Sequence, residues 1–79
     1  MKQSQRVLTA LGVVLREARQ ESGFTQEALS LQTGIHRNYI GGIERGERSP
    51  SVVAVAELAD ALEVQPSELL RRAEKLLGS

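Results

Sequence analysis

Residues 26–46 read QEALSLQTGIHRNYIGGIERG, which is two short helical patterns separated by a glycine. Gly34 can adopt the left-handed conformation of a tight turn, and the small side chain of Ala28 lets two helices approach closely. We therefore expect a helix-turn-helix, with helices over about Gln26–Gln32 and Arg37–Arg45. Apolar residues fill the space between these helices: Leu29, Ile35, Ile40 and Ile43.

Three further helices flank this unit, and no stretch alternates in the manner of a β-strand. The first runs from about Val7 to Glu21 and ends at Ser22-Gly23. Ser49-Pro50 and Pro66 open the fourth and fifth helices, because serine caps a helix amino terminus and proline suits its first turn. The expected fold is all-α, with five helices.

The composition is that of one small globular domain over residues 1–79, with 41% hydrophobic and 25% charged residues. Residues 1–5 are expected to form a flexible arm, because chain ends fray unless they are tied down. Residues 63–79 are expected to form a C-terminal dimerisation helix region. A chain this short buries a limited core, which favours sharing a core with a second copy.

The residue inventory excludes several classes of function. There is no cysteine, and the single histidine, His36, is accompanied by no cluster of metal-ligating or catalytic side chains. We therefore expect no enzyme, no metal, no cofactor and no small-molecule ligand. No apolar run reaches membrane-spanning length and the amino terminus lacks a signal-peptide core, so we expect a cytoplasmic protein without membrane contact.

Charge is balanced overall but unevenly distributed. Ten basic and ten acidic residues cancel, which weakens an interpretation as a nucleic-acid-binding protein. Residues 51–70 contain four acidic residues and no lysine or arginine, whereas residues 36–48 carry three arginines and a histidine against two glutamates. Because salt screens distant charges, a local basic face over residues 36–48 can still bind a polyanion.

The sequence resembles the Cro/C1-type (Xre) family of bacterial and phage helix-turn-helix regulators. The resemblance extends from about Leu11 to Leu70 and includes residues 46–51, GERSPS, and residues 58–62, LADAL. It is similar to short stand-alone members such as restriction–modification controller proteins in having Arg37, Tyr39 and the GIER sequence of residues 42–45. The resemblance implies a lambda-repressor-like domain, a DNA-binding transcriptional regulator, and a bacterial or phage origin. His36 and Gly41 depart from the family pattern, which usually has Ser, Thr or Asp at the first position and often Ser at the second.

The first exposed turn of the third helix carries the candidate base contacts. The major groove of B-DNA admits one helix, where Arg37 can bond guanine and Asn38 can bond adenine. Gly42 lies one turn later on the same side and removes a side chain that would hold the helix away from the groove. Arg48 resembles a base- or phosphate-contacting arginine of controller proteins. The alternative is that these are ordinary solvated residues.

Other polar residues are expected to contact phosphates and so to fix the register on the duplex rather than recognise sequence. These residues are Gln26, His36, Tyr39, Arg45, Ser49 and Ser51. Structural roles are open for several of them: the serines can serve as helix caps, Tyr39 can pack at the edge of the core, and Arg45 can pair with a nearby acid. Glu44 is expected to be structural, because DNA would repel a carboxylate.

An apolar patch on the last two helices is expected to form a homodimer interface: Val53, Ala56, Leu70 and Leu77. Leu69, Ala73 and Leu76 are expected to face the protein's own core. The resulting hypothesis is a homodimer that binds an inverted repeat in double-stranded DNA and is controlled by its own concentration. The alternative is an antitoxin-like or adaptor module that keeps the fold and uses this patch to bind a protein partner.

Overall fold

The computed structural model describes residues 2–78, and these form five helices with no strand. The all-α, five-helix prediction is confirmed. Met1 and Ser79, the outermost residues of the expected arm and of the expected dimerisation region, lie outside the described residues. The helices are α1 (Lys2–Glu21), α2 (Gln26–Thr33), α3 (Arg37–Glu44), α4 (Val52–Ala61) and α5 (Pro66–Leu77).

Short hydroxyl side chains cap the amino termini of α2 and α4. The hydroxyl of Thr25 accepts the backbone N–H of Ala28 at 3.0 Å, and the hydroxyl of Ser51 accepts that of Ala54 at 3.0 Å. Gly34 ends α2 with φ of +79°, a left-handed conformation that suits glycine. Pro66 occupies the first turn of α5, where its missing N–H costs nothing. The left-handed stop at Gly34 and the start of α5 at Pro66 are those that the sequence indicated. The start of α4 differs, because the cap is Ser51 rather than Ser49 and the helix begins at Val52, beyond Pro50.

The first helix begins at Lys2, five residues earlier than expected. Residues 2–5, which were expected to form a flexible arm, are therefore part of α1. Gln5 ties this segment down, because its side-chain amide donates to the carbonyl oxygen of Gly46 at 3.2 Å and to the hydroxyl of Thr9 at 3.2 Å. Arg6 adds a bond to the carbonyl oxygen of Leu77 at 3.3 Å.

The core lies between α1 and the other helices, and its largest fully buried side chains are Val14, Leu29, Ile40, Ile43, Leu58 and Leu69. Gly12 sets the closest approach, because a Cβ atom there would lie 2.5 Å from the carbonyl oxygen of Ile43 and 2.6 Å from that of Glu44. The backbone of α1 thus rests directly on the carboxyl end of α3. This close approach constrains the position of α3.

The end of α5 is rotated relative to the sequence prediction. Leu76 is 47% exposed, whereas Leu77 is half-buried and packs against the core. The expectation that Leu76 faces the core is therefore wrong, and Leu77 is the leucine that packs against it. Both leucines line a cleft between α1 and α5, together with Ala10 and Val13. Within residues 2–78, no helix combines the length and hydropathy needed to cross a membrane.

Candidate nucleic-acid interface

The first turn of α3 presents the two predicted base-contacting residues to solvent. Arg37 and Asn38 are the first two residues of this helix and both are exposed. The guanidinium of Arg37 lies 3.8 Å from the carboxylate of Glu27 on α2, and both of these side chains are more than half exposed. An exposed pair at this distance contributes little to stability, so Arg37 can exchange it for another acceptor at little cost.

His36 caps α3 with its ring rather than with a hydroxyl. Its Nδ1 atom accepts the backbone N–H of Asn38 at 3.1 Å, and the residue is exposed at the start of the helix. The cap satisfies one of the backbone N–H groups that a helix leaves without an internal acceptor. The departure from the family pattern at this position therefore leaves a capped recognition helix.

A buried polar network joins α1, α2 and α3. Arg19 donates to both carboxylate oxygens of Glu44, at 2.6 and 3.0 Å, and to the carbonyl oxygen of Phe24 at 2.8 Å. The side chains of Arg19 and Glu44 are only 10% and 3% exposed. Gln26, at the start of α2, donates its amide to Glu44 at 3.0 Å. Glu44 is thus structural in the manner expected, and it fixes α3 relative to both other helices.

The network constrains how Gln26 contacts a phosphate. One amide hydrogen of its side chain is bonded to Glu44, and the second remains as a donor. The side chain is half-buried and its direction is set by the recognition helix. Gln26 therefore sits at the predicted place, but its position depends on Glu44.

Arg45 folds back over the third helix from the residue after its end. Its Nη1 atom lies 3.0 Å from where a Cβ of Gly41 would be, and the amide oxygen of Gln26 lies 3.4 Å from the same point. The Nε atom of Arg45 is 3.1 Å from the carboxylate of Glu47, in an exposed pair. The alternative in which Arg45 pairs with a nearby acid is the arrangement that the structure shows.

Arg48 lies across Gly42 and against Tyr39. A Cβ on Gly42 would overlap the Cγ atom of Arg48, and the guanidinium carbon is 5.1 Å from the centroid of the Tyr39 ring. Gly42 is consequently buried beneath Arg48. The expectation that Gly42 leaves an open gap facing the groove is wrong, because the arginine of the following loop fills that gap.

The hydroxyl of Tyr39 holds the loop between α3 and α4. It donates to the carbonyl oxygen of Ser49 at 3.3 Å and accepts the backbone N–H of Ser51 at 3.3 Å. The side chain of Ser51 caps α4, while Ser49 is exposed. The ring of Tyr39 is half-buried at the edge of the core, so the structural alternatives for Tyr39 and Ser51 are both realised.

The predicted dimer residues fall into two places. Val53, Ala56 and Leu70 are exposed, and Ala56 and Leu70 line an apolar groove of about 390 Å³ between α1, α4 and α5. Leu77 lies elsewhere, in the cleft between α1 and α5. The groove also includes apolar residues that the sequence did not indicate: Val7, Leu8, Val52 and Pro66.

Two residues that position this interface were missed in the sequence. Arg19 stands four residues after Leu15 and one after Ala18, both of which are buried, so a charge on the buried side of α1 was a signal for a buried partner. Gly12 stands in the interior of a helix, where glycine is unfavourable, and such a glycine indicates a close contact.

The comparisons with known proteins agree with this geometry. The helix-turn-helix family model HTH_3 matches residues 15–69. An uncharacterized HTH-type transcriptional regulator of Sinorhizobium fredii, y4dJ, is 42% identical over 52 residues, which are 66% of this chain and 68% of y4dJ. The control protein C.BamHI of Bacillus amyloliquefaciens is 42% identical over 50 residues, which are 63% of this chain and 62% of C.BamHI.

A solved structure extends the similarity to the fold. The restriction–modification controller protein C.AhdI from Aeromonas hydrophila is 45% identical, with a TM-score of 0.76 over 78% of this chain and 94% of C.AhdI. The family model covers more than half of the chain, and the five helices and the helix-turn-helix at α2 and α3 are those of the expected lambda-repressor-like domain. The chain therefore belongs to the HTH_3 helix-turn-helix family, and it is a transcriptional regulator of the Cro/C1 type rather than an enzyme.

Proposed function

We propose that this protein regulates transcription by binding a specific double-stranded DNA operator as a homodimer. The observation that carries the proposal is the first turn of α3, where Arg37 and Asn38 are exposed at the start of a helix whose other end is held by the buried Arg19–Glu44 pair. A rigidly held helix with polar side chains at its amino end is what recognition in the major groove requires.

Three residues are assigned to base edges. Arg37 can donate two hydrogen bonds to the O6 and N7 atoms of guanine, and Asn38 can pair with the N6 and N7 atoms of adenine. Arg48, stacked on Tyr39 beside α3, extends this surface toward the next base pairs. The bare backbone at Gly41 and Gly42 carries no side chain of its own for base contact.

The remaining polar residues are assigned to phosphate contacts, with the exception of Tyr39. Gln26, His36, Arg45, Ser49 and Ser51 surround the two ends of α3 and can position the duplex without recognising its sequence. Tyr39 has one hydroxyl hydrogen, and it is directed to the carbonyl oxygen of Ser49. We therefore assign Tyr39 to holding the loop that carries Arg48 rather than to a phosphate contact.

The dimer is assigned to the apolar groove between α1, α4 and α5. Leu70 is half exposed there and lines the groove with Ala56, and Val53 is a further exposed apolar residue on α4. A two-fold arrangement would place two copies of α3 in successive major grooves, so the operator is an inverted repeat with half-site centres about 10 to 10.5 base pairs apart. Because only the dimer engages both half-sites, protein concentration would set occupancy.

A second candidate function is protein binding through the same groove, in the manner of an antitoxin or adaptor. It is favoured by the zero net charge and by the apolar lining of the groove. The polar, aliphatic-free surface of α3 favours DNA, because protein interfaces usually present aromatic or aliphatic anchors.

Selection from random duplexes separates the two candidates. The protein is mixed with a pool of random double-stranded fragments, retained fragments are sequenced, and the affinity for the enriched sequence is measured over a range of salt concentrations. DNA binding predicts an enriched inverted repeat and an affinity that falls steeply with salt, because phosphate contacts release counterions. Recovery of random sequences would contradict sequence-specific binding. Recovery of a single asymmetric half-site would contradict binding as a dimer.

A further inference from the structure

Both glycines of α3 lie on its solvent side and yet are buried, because arginines from beyond the end of the helix cover them. Arg45 and Arg48 cover the two glycines in different ways. Arg45 reaches Gly41 only with the terminal nitrogen of its guanidinium, whereas Arg48 lays its Cβ, Cγ and Cδ atoms along Gly42. The Arg48 side chain can therefore lie across α3 only because Gly42 has no side chain.

We infer that Gly42 is a specificity-determining position, and that it acts by providing the seat for Arg48. Gly42 lies one helical turn after Asn38, on the same flank of α3. The space that a side chain at this position would fill is occupied instead by the aliphatic carbons of Arg48 from the following loop.

Two contacts hold the Arg48 side chain in this position. Its aliphatic carbons pack on the backbone of Gly42, and its guanidinium lies over the ring of Tyr39. Tyr39 is in turn fixed by its bonds to residues 49 and 51. Among residues 2–78 no salt bridge involves Arg48, so its hydrogen-bond donors are not committed to a carboxylate. A preorganised, uncommitted arginine is suited to bidentate recognition of guanine.

The inference rests on the proposed function and is tested with a double-mutant cycle. Gly42→Ala, Arg48→Ala and the combined variant are compared with the wild-type protein, and Gly41→Ala is the matched control. A Cβ at Gly42 collides with the middle of the Arg48 side chain, whereas a Cβ at Gly41 meets the ends of two side chains, the Nη1 atom of Arg45 at 3.0 Å and the amide oxygen of Gln26 at 3.4 Å. The measured quantity is the ratio of affinities for the selected operator and for a scrambled duplex.

We expect Gly42→Ala and Arg48→Ala each to lower this ratio about tenfold, at the same base pairs of the operator. Gly42→Ala should have no further effect when Arg48 is already alanine, and Gly41→Ala should keep the wild-type ratio. Thermal unfolding is a second readout. Alanine is favoured over glycine in a helix interior, so Gly42→Ala should be no less stable than the wild-type protein.

Different results would overturn the inference. Additive losses from Gly42→Ala and Arg48→Ala would mean that Gly42 acts through its own approach to DNA rather than through Arg48. An unchanged ratio in Arg48→Ala, while Arg37→Ala lowers it, would leave the proposed function standing and remove Arg48 from recognition. A wild-type protein without preference for any duplex would overturn the inference together with the proposed function.

Discussion

Replacing Glu44 with alanine should destabilise the protein more than any other single loss of a charge. Glu44 accepts two hydrogen bonds from Arg19, at 2.6 and 3.0 Å, and its side chain is 3% exposed. Its removal leaves the buried guanidinium of Arg19 with one remaining bond, to the carbonyl oxygen of Phe24. Breaking a buried pair in this way costs about 3–5 kcal/mol, because an uncompensated charge stays out of water.

That cost is a large share of the total stability. A chain of 79 residues has a free energy of unfolding of about 4–12 kcal/mol. Urea unfolding followed by circular dichroism measures the change, and with a slope of about 1 kcal/mol per molar urea the midpoint should fall by about 3 M or more. If the Glu44→Ala variant is already partly unfolded in water, Glu44→Gln retains an acceptor for Arg19 and gives a measurable intermediate loss.

Two controls isolate the buried charge. Glu47 pairs with Arg45 at 3.1 Å, but these side chains are 62% and 59% exposed, so Glu47→Ala should cost about 0.2–1 kcal/mol. Replacing both partners of the buried pair, with Arg19→Met and Glu44→Leu together, should restore most of the stability. Equal losses in Glu44→Ala and Glu47→Ala would refute the reasoning, as would a double variant in which the two single losses simply add.

Three further outcomes are expected. Thr25→Ala removes the cap of α2 and should cost about 1 kcal/mol in the same urea assay; an unchanged midpoint would contradict the role of the cap. The hydrogen bond from Arg72 lowers the pKa of Glu68. This pair therefore stabilises the fold above the pKa that the carboxyl has in the unfolded chain, and the stabilisation is lost as the pH falls through the lowered value. Glu68→Gln should remove this contribution to the loss of stability in acid. Leu70→Glu should give a folded monomer by sedimentation, whereas Leu31→Glu, at a more exposed leucine on α2, should leave the oligomeric state unchanged; dimers of Leu70→Glu would place the interface elsewhere.

The sequence predicts the helices well because each boundary has a local chemical cause. Gly34 and Pro66 act within one turn of their own positions, so their effects can be inferred without knowing the fold. The cap of α4 was expected at Ser49 and is Ser51, two residues later. The start of the first helix differs more. Residues 2–5 are polar and show no apolar period, and they are tied down by a contact from Gln5 to Gly46, 41 residues away.

The candidate site was only partly predictable, because its supporting contacts are long-range. Arg37 and Asn38 are exposed as the helical spacing indicates. The partner of Glu44 stands 25 residues away on another helix, and no local pattern pairs the two. The role of Gly42 was misassigned because helix geometry gives the direction of a position but not the loop side chain that covers it.

The prediction that Leu76 of α5 faces the core failed for a related reason. Leu76 and Leu77 are adjacent leucines separated by about 100° around the helix, and either one can be placed inside by a small rotation. The choice depends on how α5 packs against α1, a long-range contact that the local pattern does not give.

The central claim, that the first turn of α3 contacts base edges, is tested most directly by Arg37→Ala. The affinity of this variant is measured for the selected operator and for a scrambled duplex at one salt concentration. Gln26→Ala, which removes a proposed phosphate contact, is measured beside it. Arg37→Ala should lose about 1–3 kcal/mol on the operator and little on the scrambled duplex, whereas Gln26→Ala should weaken both alike. Equal losses of Arg37→Ala on the two duplexes would contradict the claim.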